Sequence, residues 1–391
     1  MNHLKKTTII LFLLICSCIV VNADNNSTVS INVMKIGVIY NLKGSQSALD
    51  LPSYHGALIA EDLINKNGGI KGIPIKLIFK DGNSDPDTIE KVTEDLIINE
   101  SVPVIIGLSD TDLVLPAAKV ASKYKVPFIT SGASSPRLPE EVPDYLYLAC
   151  FGDNAQAAVA ADYAFRNLSL DSVKIIYDGR MQYTTILAGY FAERFKELGG
   201  EVLSEIPINS TSDLKGALIN NSPEEQPGLY YIAVGPDDAP EVVRTIHKGG
   251  IKTVIFGGDS YDTTNLYSAA LDTDGDVYYT THAWLGDINN QTTEGKIFVG
   301  TYQEKFGAEP TPFAGLGYDT IGLVVEAAKN NNLGTNIREG LNRISNYHGI
   351  TGTISYINGS AVPTKNVTLI IAGGINLKHV GDFIPEKVPI P

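Results

Sequence analysis

The chain has 391 residues, 43% of them hydrophobic, and a formal net charge of −14. That length exceeds one ordinary hydrophobic core and suits two domains. The acidic balance argues against nucleic acid as a partner, since a polyanion is held by clustered Lys and Arg.

At the N-terminus, Lys5 and Lys6 precede the apolar run Thr7–Val21, which is short for a membrane span. Small residues then lead to Asp24, so residues 1–23 read as a signal peptide and the protein as exported, periplasmic or extracellular. Removing that segment takes away Lys5 and Lys6 and moves the formal charge from −14 to −16. Ile15-Cys16-Ser17-Cys18 offers a second route, an imperfect lipoprotein signal that would anchor the protein through Cys18. Of the three cysteines only Cys150 lies beyond this segment, so the mature fold has no internal disulfide to rely on.

From Lys35 a unit repeats: a short aliphatic strand, a polar or glycine loop, then an amphipathic helix. Strands are expected at Lys35–Tyr40, Ile75–Lys80, Val104–Gly107, Pro127–Thr130, Val173–Tyr177, Glu201–Ile206, Gly228–Val234 and Thr253–Gly257. Helices are expected at Ser53–Asn67, Asp87–Asn99, Leu113–Tyr124, Gln156–Asn167, Thr184–Leu198, Asp213–Asn220 and Ala239–Gly249. Asn67-Gly68-Gly69 and Gly199-Gly200 close two of these helices, and Asp85-Pro86 opens another. Thr293–Phe306 and Tyr318–Asn330 also look helical, while Gly352–Ile357 and Val367–Ala372 look like strands. Strands alternating with helices of this length imply right-handed crossovers and parallel sheets covered on both faces. The expected fold is therefore α/β, with one lobe at 33–150 plus 282–352 and a second at 151–281 plus 353–391. Several passages between the lobes make a hinged cleft.

The stretch Val102–Pro136 carries the most chemistry. Its two strands end in the loops Leu108–Asp110 and Ser131–Pro136, rich in hydroxyls and unhindered backbone N–H groups. Side by side at the carboxyl edge of a parallel sheet, such loops suit a small carboxylate. They hold no nucleophile–base pair and no metal ligands, and elsewhere there is no Gly-x-Ser-x-Gly elbow or His-x-x-x-His pair. The six histidines are dispersed. The chain thus reads as a binder with no cofactor, and not as an enzyme.

The order of these motifs resembles that of the periplasmic leucine/isoleucine/valine-binding protein family, the substrate-binding components of ABC importers. The matching pieces include Lys35-Ile36-Gly37-Val38, Tyr54-His55-Gly56-Ala57, Ile64–Gly72 and Asp81–Pro86. They continue with Ile106-Gly107, Ser131–Pro136, Phe151–Asn154, Gly257-Gly258-Asp259, Tyr318-Asp319 and Gly349–Gly352, in order along nearly the whole mature chain. The resemblance implies a type I periplasmic-binding-protein fold with two Rossmann-like lobes and three interlobe crossovers. It also implies a monomer that delivers an amino acid or close analogue to a membrane permease. Sensory receptors use the same fold, and members bind amides, urea and aromatic acids, so those readings stay open.

Residue by residue, the resemblance implies a ligand carboxylate held by Thr111, with Ser109 one step from an equivalent role, and by Gly132 and Ser134. Asp259 falls on the acidic position that takes the ammonium, Tyr183 on a tyrosine that packs against the ligand, and Phe313 on a side-chain wall. Local structure offers alternatives: Thr111 as a helix cap, Ser134 as a turn residue, Phe313 as core. The sequence departs from the family at Leu49 and at Val234-Gly235, where rings are missing. Ser84 and Asp110 stand where some members carry a disulfide. Asp110 either faces solvent or selects a ligand with a second positive group.

Overall fold

The computed structural model describes residues 33–219, 226–248, 253–271, 277–330, 336–373 and 376–391. The expected signal peptide and Cys18 lie outside the described residues. Apolar runs such as Ile36–Tyr40 and Leu229–Ala233 have no polar face to turn to water, so both sides are buried in parallel sheets.

The first sheet holds β1 (Met34–Tyr40), β2 (Ile75–Asp81), β3 (Ile105–Gly107), β4 (Phe128–Thr130) and β5 (Leu146–Leu148). They are all parallel, in the order β2-β1-β3-β4-β5. Between them run α1 (Ser47–Lys66), α2 (Pro86–Ile98), α3 (Thr111–Lys123) and the short α4 (Leu138–Glu141). The chain then crosses into α5 (Asp153–Asp162), which ends in one π-helical turn over Tyr163–Asn167. There follow β6 (Ser172–Asp178), α6 (Gln182–Glu197), β7 (Glu201–Ile208), α7 (Thr211–Ile219) and β8 (Leu229–Ala233). α8 (Ala239–Lys248), β9 (Val254–Gly257), α9 (Thr264–Leu271) and β10 (Val277–Thr281) complete this run.

After β10 the chain returns to the first core with α10 (Thr293–Phe306), α11 (Pro312–Asn330), α12 (Ile337–Leu341) and the hairpin β11 (Tyr347–Gly349) and β12 (Gly352–Ile354). Finally β13 (Val367–Gly373) and β14 (Asn376–Phe383) add an antiparallel edge to the second sheet, whose order is β14-β13-β10-β9-β8-β6-β7. Three passages therefore join the lobes: after β5, after β10 and between β12 and β13. Ile354 and Tyr356, beyond the expected break at residue 352, pack in the first core, and the Tyr356 hydroxyl donates to the Leu148 carbonyl at 2.8 Å.

Several elements differ from the sequence expectation for clear reasons. Helix α1 starts ahead of Pro52 because the Gln46 carbonyl takes the amides of Leu49 and Asp50 and nucleates a turn there. Helix α11 likewise begins at Pro312, a good first helical residue that reads by itself as a breaker. Strand β14, Asn376–Phe383, is a polar edge strand without a clean apolar alternation, so it leaves little signal.

One packing contact positions the cleft. A Cβ on Gly56 of α1 would lie 1.8 Å from the Ala314 carbonyl oxygen, and one on Gly317 of α11 1.8 Å from that of Ser53. Only glycine lets these helices touch backbone to backbone. The contact also lets the Ser53 hydroxyl donate to the Phe313 carbonyl at 3.0 Å, which fixes the start of α11. Gly317→Ala is expected to lower unfolding free energy by about 1–3 kcal/mol through overpacking. Urea unfolding followed by circular dichroism checks this against Gly300→Ala, where a Cβ meets nothing within 4 Å and little change is expected.

Candidate functional site

Strands β3 and β4 are parallel neighbours, paired from Ile105–Phe128 to Gly107–Thr130, so their carboxyl ends feed adjacent loops. Thr130 ties the two together: its hydroxyl donates to the Leu108 carbonyl at 2.8 Å and accepts from the Ala133 amide at 3.0 Å. Ser109, Gly132 and Phe313 then converge. A Cβ on Gly132 would sit 2.9 Å from Ser109 Oγ and 2.8 Å from Phe313 Cε1, so any larger residue fills the space. The Ser109 hydroxyl is buried and has no hydrogen-bond partner among the described residues. It sits beside Asp50 without closing a well-formed bond, so it is available to a ligand.

The opposite wall comes from the second lobe. Asp259 follows β9 and opens a single 3-10 turn, Asp259–Tyr261. Its Oδ1 accepts from the Tyr183 hydroxyl at 2.7 Å and from Gln156 Nε2 at 3.1 Å. Its Oδ2 lies 3.0 Å from His282 Nε2. Gln156 is itself fixed, because its Oε1 accepts from the Asp259 amide at 3.1 Å and the Thr280 hydroxyl at 2.6 Å. The amide end of Gln156 also donates to Asp153 Oδ1 at 2.9 Å.

The two walls meet across a cavity of about 10 Å³, faced by Ser109, Gly132, Ser134 and Phe313 on one side and by Tyr183 and Asp259 on the other. Gln46, Leu49, Asp110, Met181, Pro236 and Ser260 complete it. Six of the seven residues expected from the sequence therefore come together. Thr111 does not line the cavity. It is the first residue of α3, its buried hydroxyl without a partner among the described residues, while Asp110 caps the helix by accepting the Leu113 amide at 3.1 Å. Asp110 itself is 6% exposed, so it does not face solvent.

Burial and neighbouring charges set the protonation states. Burial works to raise Asp259, but the bonds from His282, Tyr183 and Gln156 hold it below the ordinary carboxylate range. Burial lowers His282, which is therefore neutral, with the proton on Nε2 because the ionised Asp259 can only accept. Asp153 is pushed up to about 8 by burial and then by the charge of Asp259. Asp50 rises to about 7 through burial, against the Ser109 hydroxyl and the Asn41 amides. Asp110 also rises to about 7, through burial and then Asp112.

Gln156, His282, Asp153 and Asp50 were not singled out from sequence. His282 stands directly after a strand that was itself not expected, and Asp50 and Asp153 sit in the first turns of α1 and α5. A polar residue at the carboxyl end of a parallel strand is the signal for His282.

The chain belongs to the periplasmic binding protein family, whose sequence model matches residues 33–370. It is 26% identical over 236 residues to Leu/Ile/Val-binding protein homolog 3 of Brucella melitensis, an alignment covering 60% of this chain and 63% of the relative. The chain thus spans under two thirds of the length of that relative. Among solved structures, it superposes with a TM-score of 0.82 on the branched-chain amino acid transporter substrate-binding protein LivJ of Streptococcus pneumoniae in complex with isoleucine. Identity there is 24%, over 90% of this chain and 100% of the other. A solute-binding protein of Rhodopseudomonas palustris in complex with 3,4-dihydroxybenzoic acid gives 0.76 at 22% identity, over 91% and 99% of the two chains. These structures share the two-lobed fold.

The raised carboxyls predict a pH dependence. Asp50 keeps its proton up to about 7 in the folded state, whereas its ordinary value is 3.8. Between those values the native state binds more protons than the unfolded chain, so its stability falls as pH rises. Asp50→Asn keeps an acceptor for the Asn41 amides and removes the titration. Urea unfolding across this range is expected to show the variant gaining on the wild type as pH rises, with the difference flat below the ordinary value.

Proposed function

We propose that this protein is the extracytoplasmic binding component of an ABC importer, that its ligand is an α-amino acid, and that it binds without chemical turnover. The observation that carries the reading is the pairing of opposite chemistries on one cavity. The first lobe presents hydroxyls and backbone groups at Ser109, Gly132 and Ser134, and the second presents the ionised Asp259 with Tyr183. A carboxylate suits the first set and an ammonium the second. The relatives named for leucine, isoleucine and valine support the same class. The loaded, closed form would dock on a membrane permease as a monomer.

In this mechanism the cavity of about 10 Å³, room for about one water, widens as the lobes part. The ligand carboxylate docks on the β3 and β4 loops, and the lobes close around it to bring Asp259 and Tyr183 onto the ammonium. Only a ligand touching both lobes favours closure, by the difference of its affinities for the two states. A second reading is an aromatic acid. It is favoured by the existing partners on both oxygens of Asp259, which lessen its need for an ammonium, and by the dihydroxybenzoate-bound neighbour.

Isothermal titration with amino acids, simple amides and aromatic acids decides between these. The first reading expects amino acids to bind and Asp259→Asn to weaken them by about 2–4 kcal/mol. Ser109→Ala is expected to cost about 1–2 kcal/mol, and Thr111→Ala less, since Thr111 stands off the cavity. Binding of benzoate or dihydroxybenzoate with no amino acid bound would replace the first reading by the second.

A further inference from the structure

The ligand cavity does not end at Asp110. A second hollow of about 310 Å³ adjoins it, and the two share Gln46, Asp110, Met181 and Pro236 as walls. Its charged lining comprises Asp110 and Asp112 from the first lobe with Asp178, Arg180, Asp237 and Asp238 from the second. Five carboxylates thus surround one guanidinium.

That guanidinium is already committed. Arg180 makes a two-pronged contact with Asp178, at 2.9 Å from Nε and 2.6 Å from Nη2, and approaches Asp238 at 3.7 Å. Asp112 accepts the Gln182 amide at 3.0 Å across the lobes. Asp110 accepts backbone amides at the start of α3, from Leu113 and from Asp112, and no cation pairs with it among the described residues. A carboxylate so enclosed without a counter-charge is costly unless something else supplies one.

The Ser109 hydroxyl, 8% exposed and without a well-formed hydrogen bond among the described residues, faces the adjoining ligand cavity. The hollow is therefore an extension of a built site. A metal ion fits it poorly, because no three acidic, histidine or cysteine side chains among the described residues converge as ligands would.

We propose that the hollow is a side-chain subsite, and that the amino acids bound here carry a terminal cation, an alkylammonium or guanidinium, which Asp110 receives. The inference rests on the α-amino acid reading above. With carboxylate on the β3 and β4 loops and ammonium at Asp259, a side chain leaving the cavity past Gln46 and Met181 enters the acidic hollow. Leucine or isoleucine would leave Asp110 buried and unpaired. The raised Asp110 supports this, since a cation beside it would draw off its proton on binding.

The test is isothermal titration of the purified protein with L-arginine, L-lysine, L-leucine and L-isoleucine, at near-neutral pH and low salt. Arginine or lysine is expected to bind at least tenfold more tightly than leucine. Asp110→Asn, which preserves a competent helix cap, is expected to weaken the cationic ligand at least tenfold and not to weaken leucine, which then leaves no buried carboxylate unpaired. Circular dichroism checks that the variant folds. Tighter or equal binding of leucine or isoleucine in the wild type overturns the inference and leaves the α-amino acid reading standing. Equal weakening of all four ligands by Asp110→Asn also overturns it. Binding of none of the four overturns the α-amino acid reading, and this inference falls with it.

Discussion

The site depends on keeping one buried carboxylate ionised. An isolated carboxylate in the interior costs several kcal/mol, and it stays charged only where enough donors replace water. Asp259 meets that condition with three donors from separate parts of the chain: Tyr183 on α6, Gln156 on α5 and His282 just past β10. Because burial keeps His282 neutral, it supplies a hydrogen bond without cancelling the charge. The negative potential of Asp259 thus remains for a ligand. A protonated histidine in the same place would spend it.

Those donors also tie the site to the hinge. Helix α5, which carries Gln156, follows the first passage between the lobes, and His282 opens the second. Phe151, in the first passage, stacks on the His282 ring at 4.2 Å, and Phe313 from the first lobe meets it edge-on at 5.2 Å. On the proposed reading, a ligand drawn to Asp259 would act on residues packed against both connecting strands. Packed aromatic contacts of this kind have discrete arrangements and do not stretch, which suits an open-or-closed response.

Much of this was legible in the sequence because the fold repeats a local unit. The β3 and β4 loops announce themselves through aliphatic runs ending in Ser, Thr and Gly, and the pairing of β3 with β4 follows from one short helix between them. Asp259, Tyr183 and Phe313 needed the family resemblance, since each alone looks like turn or core. The rest is invisible for a physical reason. Gln156 and Asp259 are 103 positions apart and His282 is 23 further on, so no spacing rule links them. Asp110 illustrates the same limit: its helix-capping position is readable, but its burial depends on the second lobe.

The carboxyls around the first-lobe loops raise a problem for any ligand that brings its own carboxylate. Asp50 and Asp110 lie beside Ser109 and repel each other as well as an incoming anion. Burial resolves part of it, since both rise to about 7 and are substantially protonated near neutral pH. Asp50 has a further resolution inside the protein, where the Asn41 backbone amide and side chain both donate to its Oδ2 at 3.0 and 2.7 Å. Asp110 has only backbone amides at the start of its helix among the described residues, and an open hollow in front of it. Its two stable conditions are a retained proton or a cation supplied from outside. If the ligand carries a carboxylate, as proposed, the site gains most from the second, because the cation then offsets the ligand's own carboxylate along with the protein's. The arrangement of Asp110 therefore makes sense as part of ligand selection, where a helix cap alone would be met as well by asparagine.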